Sequence, residues 1–232
     1  MPHFVVTSNE DGTVRQILKD GEPYEGSLQL EQAFSVVTIY FQLAVLNLAQ
    51  MNGEERSERR KFGLQSFLMS LTGLEAFANT FFHLLGRHLG SDELLSRVSQ
   101  PHGSLSQKFR DLIALMPGGP IRDQQLLIDK VFELSQIRNA IVHPRWVPAS
   151  VTMEGSGPIT FRDMVENRQA LFEDIQFCRE SLFWCLLMLA RIGEARENAD
   201  VSGFMFHWTQ CYNVTLSGIL GELGLSDNSA TA

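Results

Sequence analysis

Leu64-Gln65-Ser66-Phe67-Leu68-Met69-Ser70-Leu71-Thr72-Gly73-Leu74-Glu75-Ala76-Phe77-Ala78-Asn79-Thr80-Phe81-Phe82-His83-Leu84-Leu85 is the stretch on which the fold turns. Leu64, Phe67, Leu68, Leu71, Leu74, Ala78, Phe81, Phe82 and Leu85 recur at three- and four-residue spacing, the signature of one core-facing helical stripe. The helix is expected over Ser57 to Leu89, with Gly63, Gly73 and Gly86 as weak points or close-packing positions. Two polar residues interrupt the oily side: Glu75 among Leu71, Leu74, Ala78 and Phe82, and Asn79 one turn later. A carboxylate is rarely buried without a partner, so another element is expected to face this pair.

Moving outward, the same periodicity continues on both sides. Leu30 to Met51 is apolar around most of its circumference, as in a helix buried on more than one side, and Asn52-Gly53 ends it. Short helices are expected over Asp92 to Val98 and Ser104 to Leu115, before the breaker Met116-Pro117-Gly118-Gly119-Pro120. Arg122 to His143 follows, with Leu127, Val131, Leu134, Ile137 and Ile141 inward and Pro144 as its stop. A long helix is expected over Val165 to Ile192, and Ser202 to Leu223 closes the bundle. Two segments read as extended. Phe4 to Leu18 is a β-hairpin around Asn9-Glu10-Asp11-Gly12, with Gly21 to Ser27 as a polar connector. Trp146 to Phe161 is a second hairpin turning at Glu154-Gly155-Ser156-Gly157. The fold class is all-α: an up-and-down helical bundle with a small N-terminal β-hairpin and a second short β-hairpin insertion. Residues 1–27 form the hairpin and connector, 28–225 the bundle with its insertion at 146–162, and 226–232 a disordered tail.

Composition narrows the function. The 232 residues are 44% hydrophobic and 20% charged, which suits a globular protein with one well-buried core. The formal charge of −8 argues against broad nucleic-acid binding through surface charge, and no recognition helix carries a basic face, so DNA is not expected as a partner. Cys178, Cys185 and Cys211 have neither metal-binding nor redox spacing; core thiols in a reducing cytoplasm fit. No secretory signal opens the chain, and Leu182 to Ala190, the longest oily run, is too short to cross a bilayer. His83 and His88 lack the spacing of a zinc site, Gly118-Gly119 lacks the rest of a phosphate loop, and no Gly-x-Ser-x-Gly is present, so neither metal nor cofactor is expected.

The chemistry-bearing motif is Arg138-Asn139-Ala140-Ile141-Val142-His143-Pro144, at a helix end. Arg suits a phosphate and His moves a proton near neutral pH. Asn139 and His143 are four residues apart and share a face, whereas Arg138 and His143 lie roughly 140° apart around an ideal helix. Arg97 and His102 repeat the Arg-to-His spacing, but Pro101 and Gly103 place that His in a loop, so it serves as a control on how little the spacing alone means.

At these residues the chain resembles the HEPN superfamily, compact helical bundles that are often dimeric. Its nuclease branch carries Arg, four to six residues, then His, commonly with a polar residue after the Arg, as in Arg138-Asn139 and His143 here. Leu71 to Asn79 looks like the acid-bearing early helix of such bundles, and the resemblance spans Leu30 to Leu223. Toxin members often carry Tyr two residues after the His, where this chain has Arg145, so control by Tyr modification is not implied. The resemblance implies a cytoplasmic, metal-independent endoribonuclease, acting as a homodimer in a defence, stress or toxin setting, with a partner protein or antitoxin. His143 is then the general acid or base, Arg138 the stabiliser of the pentavalent phosphate, Asn139 the orienting group and Glu75 the residue that holds Arg138 or tunes His143. Asn79 and Arg145 are the candidate substrate-binding residues. The competing class is a non-catalytic helical module that binds a partner protein or a nucleotide. In that class Arg138 and His143 stabilise a helix C-terminus, and Glu75 and Asn79 form a structural network.

Overall fold

The computed structural model describes residues 4–9, 14–25, 30–52, 55–142, 170–197 and 201–210. The chain divides into two compact units, Met1–Ala33 and Phe34–Ala232. The first holds an antiparallel sheet of β1 (Phe4–Ser8), β2 (Val14–Lys19) and β3 (Glu22–Pro23), in that order. Val5 pairs Leu18 and Val6 pairs Ile17, with an irregularity between Thr7 and Ser8. The expected polar connector after β2 instead turns at once. Asp20 (φ 54°) and Gly21 (φ 90°) both adopt the left-handed conformation, and Leu18 pairs with Pro23. The two-residue Asp-Gly link between paired positions is the chemistry of a tight hairpin turn.

Seven helices are described: α1 (Leu30–Gln50), α2 (Arg56–Leu89), α3 (Asp92–Ser99), α4 (Leu105–Ala114), α5 (Gln124–Val142), α6 (Ile175–Glu197) and α7 (Val201–Thr209). The structure is mostly helical, as the periodicity predicts. The expected insertion hairpin, most of the expected closing helix and the tail lie outside the described residues.

α2 is the hub. Its stripe buries Phe67, Leu71, Leu74, Ala78 and Phe82 completely. Each of the Phe and Leu side chains contributes about 1.5–3 kcal/mol of transfer free energy, offset by the ordering of the chain. Ser66 donates to the Ala44 carbonyl of α1 at 2.7 Å, so a buried hydroxyl is satisfied where the two helices touch. Phe77 and Phe81 stack at 5.1 Å, and Trp208 of α7 meets Phe77 edge-on at 4.9 Å. α3 and α4 start at Ser91 and Ser104, whose side chains accept from Leu94 N and Gln107 N.

Two expectations change. The continuous helix read over Val165 to Ile192 is broken at Phe172-Glu173-Asp174. Asp174 caps a new helix, accepting from Gln176 N at 2.9 Å. Glu173 accepts hydrogen bonds from Arg56 and Arg60 of α2, including one from Arg60 Nε at 2.8 Å. α1, expected to be buried on more than one side, buries Val37, Phe41 and Ala44 but leaves Val36, Ile39, Leu43 and Leu46 exposed as a second apolar stripe.

The Glu173 clamp makes a prediction. Hydrogen bonds from Arg56 and Arg60 hold its carboxyl below the usual value of 4.5. A carboxylate with a depressed folded pKa adds stability above its unfolded pKa and loses it as pH falls. Urea melts at about pH 5.5 and 3.5 should therefore show a smaller acid loss in Glu173→Gln than in the parent chain.

The two described cysteines behave as core thiols. Cys178 and Cys185 are buried and free. Burial pushes the Cys178 thiol up to about 12, and Cys185 is also raised by burial, so neither is a thiolate at neutral pH. Cys178 Sγ donates to the Gly63 carbonyl at 3.5 Å, where α6 crosses α2.

Candidate functional site

Four segments meet around one polar cleft of about 310 Å³. α2 contributes Glu75, the α3–α4 loop contributes Gln100 to Ser104, α4 contributes Lys108, and α5 contributes Ser135, Arg138 and Asn139. Helical spacing explains the α5 set. Ser135, Arg138 and Asn139 recur at i, i+3 and i+4, the face beside Leu134, while Val131 and Leu127 are buried one and two turns earlier.

Arg138 Nη1 donates to Glu75 Oε2 at 2.8 Å, so the partner expected for the α2 carboxylate is present. The expectation that Glu75 is buried is not met. Its side chain is 42% exposed and that of Arg138 27%. The cleft opens beside the apolar stripe, so the carboxylate keeps solvent on one side and avoids a full desolvation cost. Among the described residues Arg138 has no second hydrogen-bond partner, leaving most of its five N–H donors for a ligand.

Asn79 is not with Arg138. It is exposed and accepts from Lys108 Nζ of α4, whose ammonium also donates to the Val98 carbonyl at 3.4 Å. Burial lowers the Lys108 pKa, and Glu75 nearby pulls it back up. Asn139 lines the cleft, exposed, next to Arg138. His143 and Arg145 lie outside the described residues; Val142 is the last described residue of α5.

The residue missed by sequence reasoning is His102. The loop context that made it a control places it in the same cleft as Arg138 and Glu75. Its side chain is 7% exposed, and among the described residues neither ring nitrogen makes a hydrogen bond of good geometry, the Gln100 carbonyl acting on the ring only as a weak acceptor. Asp111 Oδ2 is 3.8 Å from Nε2, beyond hydrogen-bond range. Burial holds the His102 pKa below 6.5; Lys108 and, more weakly, Arg97 push the same way, while Asp111 and the Gln100 carbonyl pull upward. The ring is therefore neutral at pH 7. The available signal was Pro101-His102-Gly103 between two capped helices, which fixes a loop residue against its neighbours but does not reveal which ones.

Among the described residues no group of His, Cys, Asp and Glu could hold a metal ion. No described helix is long and apolar enough to cross a membrane. Compared with protein-family models, curated proteins and solved structures, the chain matches none.

Proposed function

We propose that this chain is a HEPN-like, metal-independent endoribonuclease, and the observation that carries the reading is Arg138 held by Glu75 on the wall of an open polar cleft. A guanidinium fixed by one N–H and free at the others suits an anionic phosphate whose charge grows in the transition state. His143 follows α5 directly and is assigned the proton transfers: removal of the 2′-hydroxyl proton or protonation of the leaving 5′ oxygen. Attack by the 2′-oxygen on phosphorus breaks the bond to the 5′ oxygen and leaves a cyclic phosphate. Asn139 orients the phosphate or the imidazole, Asn79 and Arg145 contact the flanking RNA, and Glu75 is the positioning residue for Arg138.

The reading includes a cytoplasmic homodimer controlled by a partner protein or antitoxin in a defence, stress or toxin setting. Val36, Ile39, Leu43 and Leu46 follow the alternating three–four spacing of a two-helix seam, which supports self-association through α1. Sedimentation should give twice the 26.1 kDa chain mass.

One observation favours a second reading. Arg138 is already paired with Glu75, as an ion pair joining α2 to α5 in a non-catalytic binding module would be. RNA cleavage in excess EDTA separates the two. The parent chain should leave cyclic phosphate ends, and Arg138→Ala and His143→Ala should each lower the rate by about 10²–10³-fold. Equal background rates in all three would retire the nuclease.

A further inference from the structure

We propose that the His102–Ser135 end of the cleft is a phosphate-ester-binding subsite, and that His102 takes up a proton when the ligand's phosphate enters. The inference rests on reading the cleft as a phosphate site, but it needs no cleavage.

The geometry supplies two independent vacancies in hydrogen bonding. His102 comes from the α3–α4 loop, with a side chain 7% exposed; among the described residues neither ring nitrogen makes a hydrogen bond of good geometry, and the Gln100 carbonyl, a weak acceptor, can serve only one of them. Ser135 comes from α5, is 4% exposed, and among the described residues its hydroxyl has no hydrogen-bond partner. Buried polar groups nearly always find a partner, and an orphan costs about 1–3 kcal/mol. Two orphans from different elements lining one cleft point to an occupant that bonds to both.

The surrounding groups define its chemistry. Arg138 offers donors not used by Glu75, and two acceptors, Asn79 and Val98, take hydrogen bonds from the Lys108 ammonium, which has three protons. The fitting ligand is negatively charged and rich in acceptor oxygens. A phosphodiester presents such oxygens on several sides, matching donors that come from α4, α5 and the loop. A metal cation is disfavoured by the two cationic side chains already there. The volume of about 310 Å³ is at the small end of ligand pockets and suits a single nucleotide unit.

The proton follows from charge. The groups facing His102 are Lys108 and Asp111 on α4, Arg97 on α3, and Glu75 and Arg138 across the cleft on α2 and α5. In the empty cleft, burial and Lys108 favour the neutral ring. A bound phosphate adds negative charge beside the ring and accepts from its N–H, which favours the imidazolium. One proton moves from solvent to the ring nitrogen that was unprotonated; no bond in the ligand changes.

Calorimetry of the full chain tests this. The probe is a fully 2′-O-methylated uridine dinucleotide, which is uncleavable and does not titrate near neutral pH; sulfate, equally non-titrating there, stands in for a free anion. The dinucleotide should bind up to about tenfold more tightly per unit fall in pH between about 7.5 and 5.5. The heat should vary with buffer ionisation enthalpy as proton uptake requires. This readout uses the parent chain and needs no variant to fold. His102→Gln should bind with the pH dependence removed, and Ser135→Ala should bind more weakly at every pH. Sulfate matching the dinucleotide would assign the subsite to a free anion of phosphate type, and a tighter dinucleotide would assign it to a nucleic acid strand; both support the proposal. Absence of saturable binding by either probe, or an unchanged pH slope in a folded His102→Gln, overturns it. Binding without RNA cleavage would retire the nuclease reading alone, and cleavage without proton-linked binding would retire the subsite alone.

Discussion

Gly63→Ala should destabilise this protein by about 3 kcal/mol or more, the largest effect expected of a methyl group added at any described glycine. A Cβ at Gly63 would lie 2.0 Å from the Phe172 carbonyl oxygen and 2.9 Å from Met51 Cε. The methionine end can swing away, but the carbonyl belongs to the turn that Glu173 and Asp174 tie down. Glu173 is held by two arginines of α2, and Asp174 caps α6. Relieving the overlap means moving that turn by more than an ångström, which disturbs the Phe172, Phe67 and Phe177 ring cluster and the Cys178–Gly63 contact. Alanine's better helix propensity returns only about 1 kcal/mol. For a chain of this size the net loss should lower Tm by roughly 10 °C, read by far-UV circular dichroism. Gly86→Ala is the internal control. It lies on the same helix, but its nearest neighbours, at 3.0 Å, are atoms of the Leu95 side chain, which can repack. A Gly63→Ala melt matching that of Gly86→Ala would mean that α6 does not cross α2 as closely as described.

The different fates of these glycines show which information the chain carries locally. Periodicity located α2, α3, α4 and α5 to within a few residues because burial of one helical face is a local property. The Glu75–Arg138 pair was also legible, since a carboxylate on an apolar stripe demands a counter-charge and α5 offered one at a helix end. Whether Gly63 is a weak point or a close approach depends on Phe172, more than a hundred residues away, and no pattern around Gly63 encodes that distance. The break before α6 was hidden for a related reason: Phe172 and Phe177 continue the apolar pattern through the turn, and only the capping role of Asp174 marks it. Asn79, expected to share one facing element with Glu75, instead meets Lys108 of α4, a short helix whose direction is set by the α3–α4 loop. That same loop carries His102 into the cleft, a placement that spacing to Arg97 cannot reveal.

If the proposed nuclease reading holds, Arg138→Ala should cut RNA cleavage by about 10²–10³-fold while changing stability by no more than about 1 kcal/mol, and this divergence is what marks a working guanidinium. The ion pair is partly solvent-exposed, 27% for Arg138 and 42% for Glu75, so its contribution to folding is screened and small. On the proposed nuclease reading its contribution to the reaction is different in kind, because charge on the phosphate oxygens would grow toward the transition state and a fixed guanidinium would meet it without reorganising. Glu75→Gln tests the positioning half of the arrangement. The amide oxygen still accepts from Nη1, so the arginine is loosened rather than lost, and the rate should fall by about tenfold. In the double variant the amide at position 75 has no guanidinium left to hold, so the rate should equal that of Arg138→Ala alone; that non-additivity is the coupling a double-mutant cycle measures. A purely structural pair gives the reverse pattern. Activity is then absent throughout, Arg138→Ala leaves Glu75 without its counter-charge and melts earlier, and the double variant regains part of the loss. Cleavage by Arg138→Ala at the parental rate would remove the guanidinium from the chemistry, whatever the melts show.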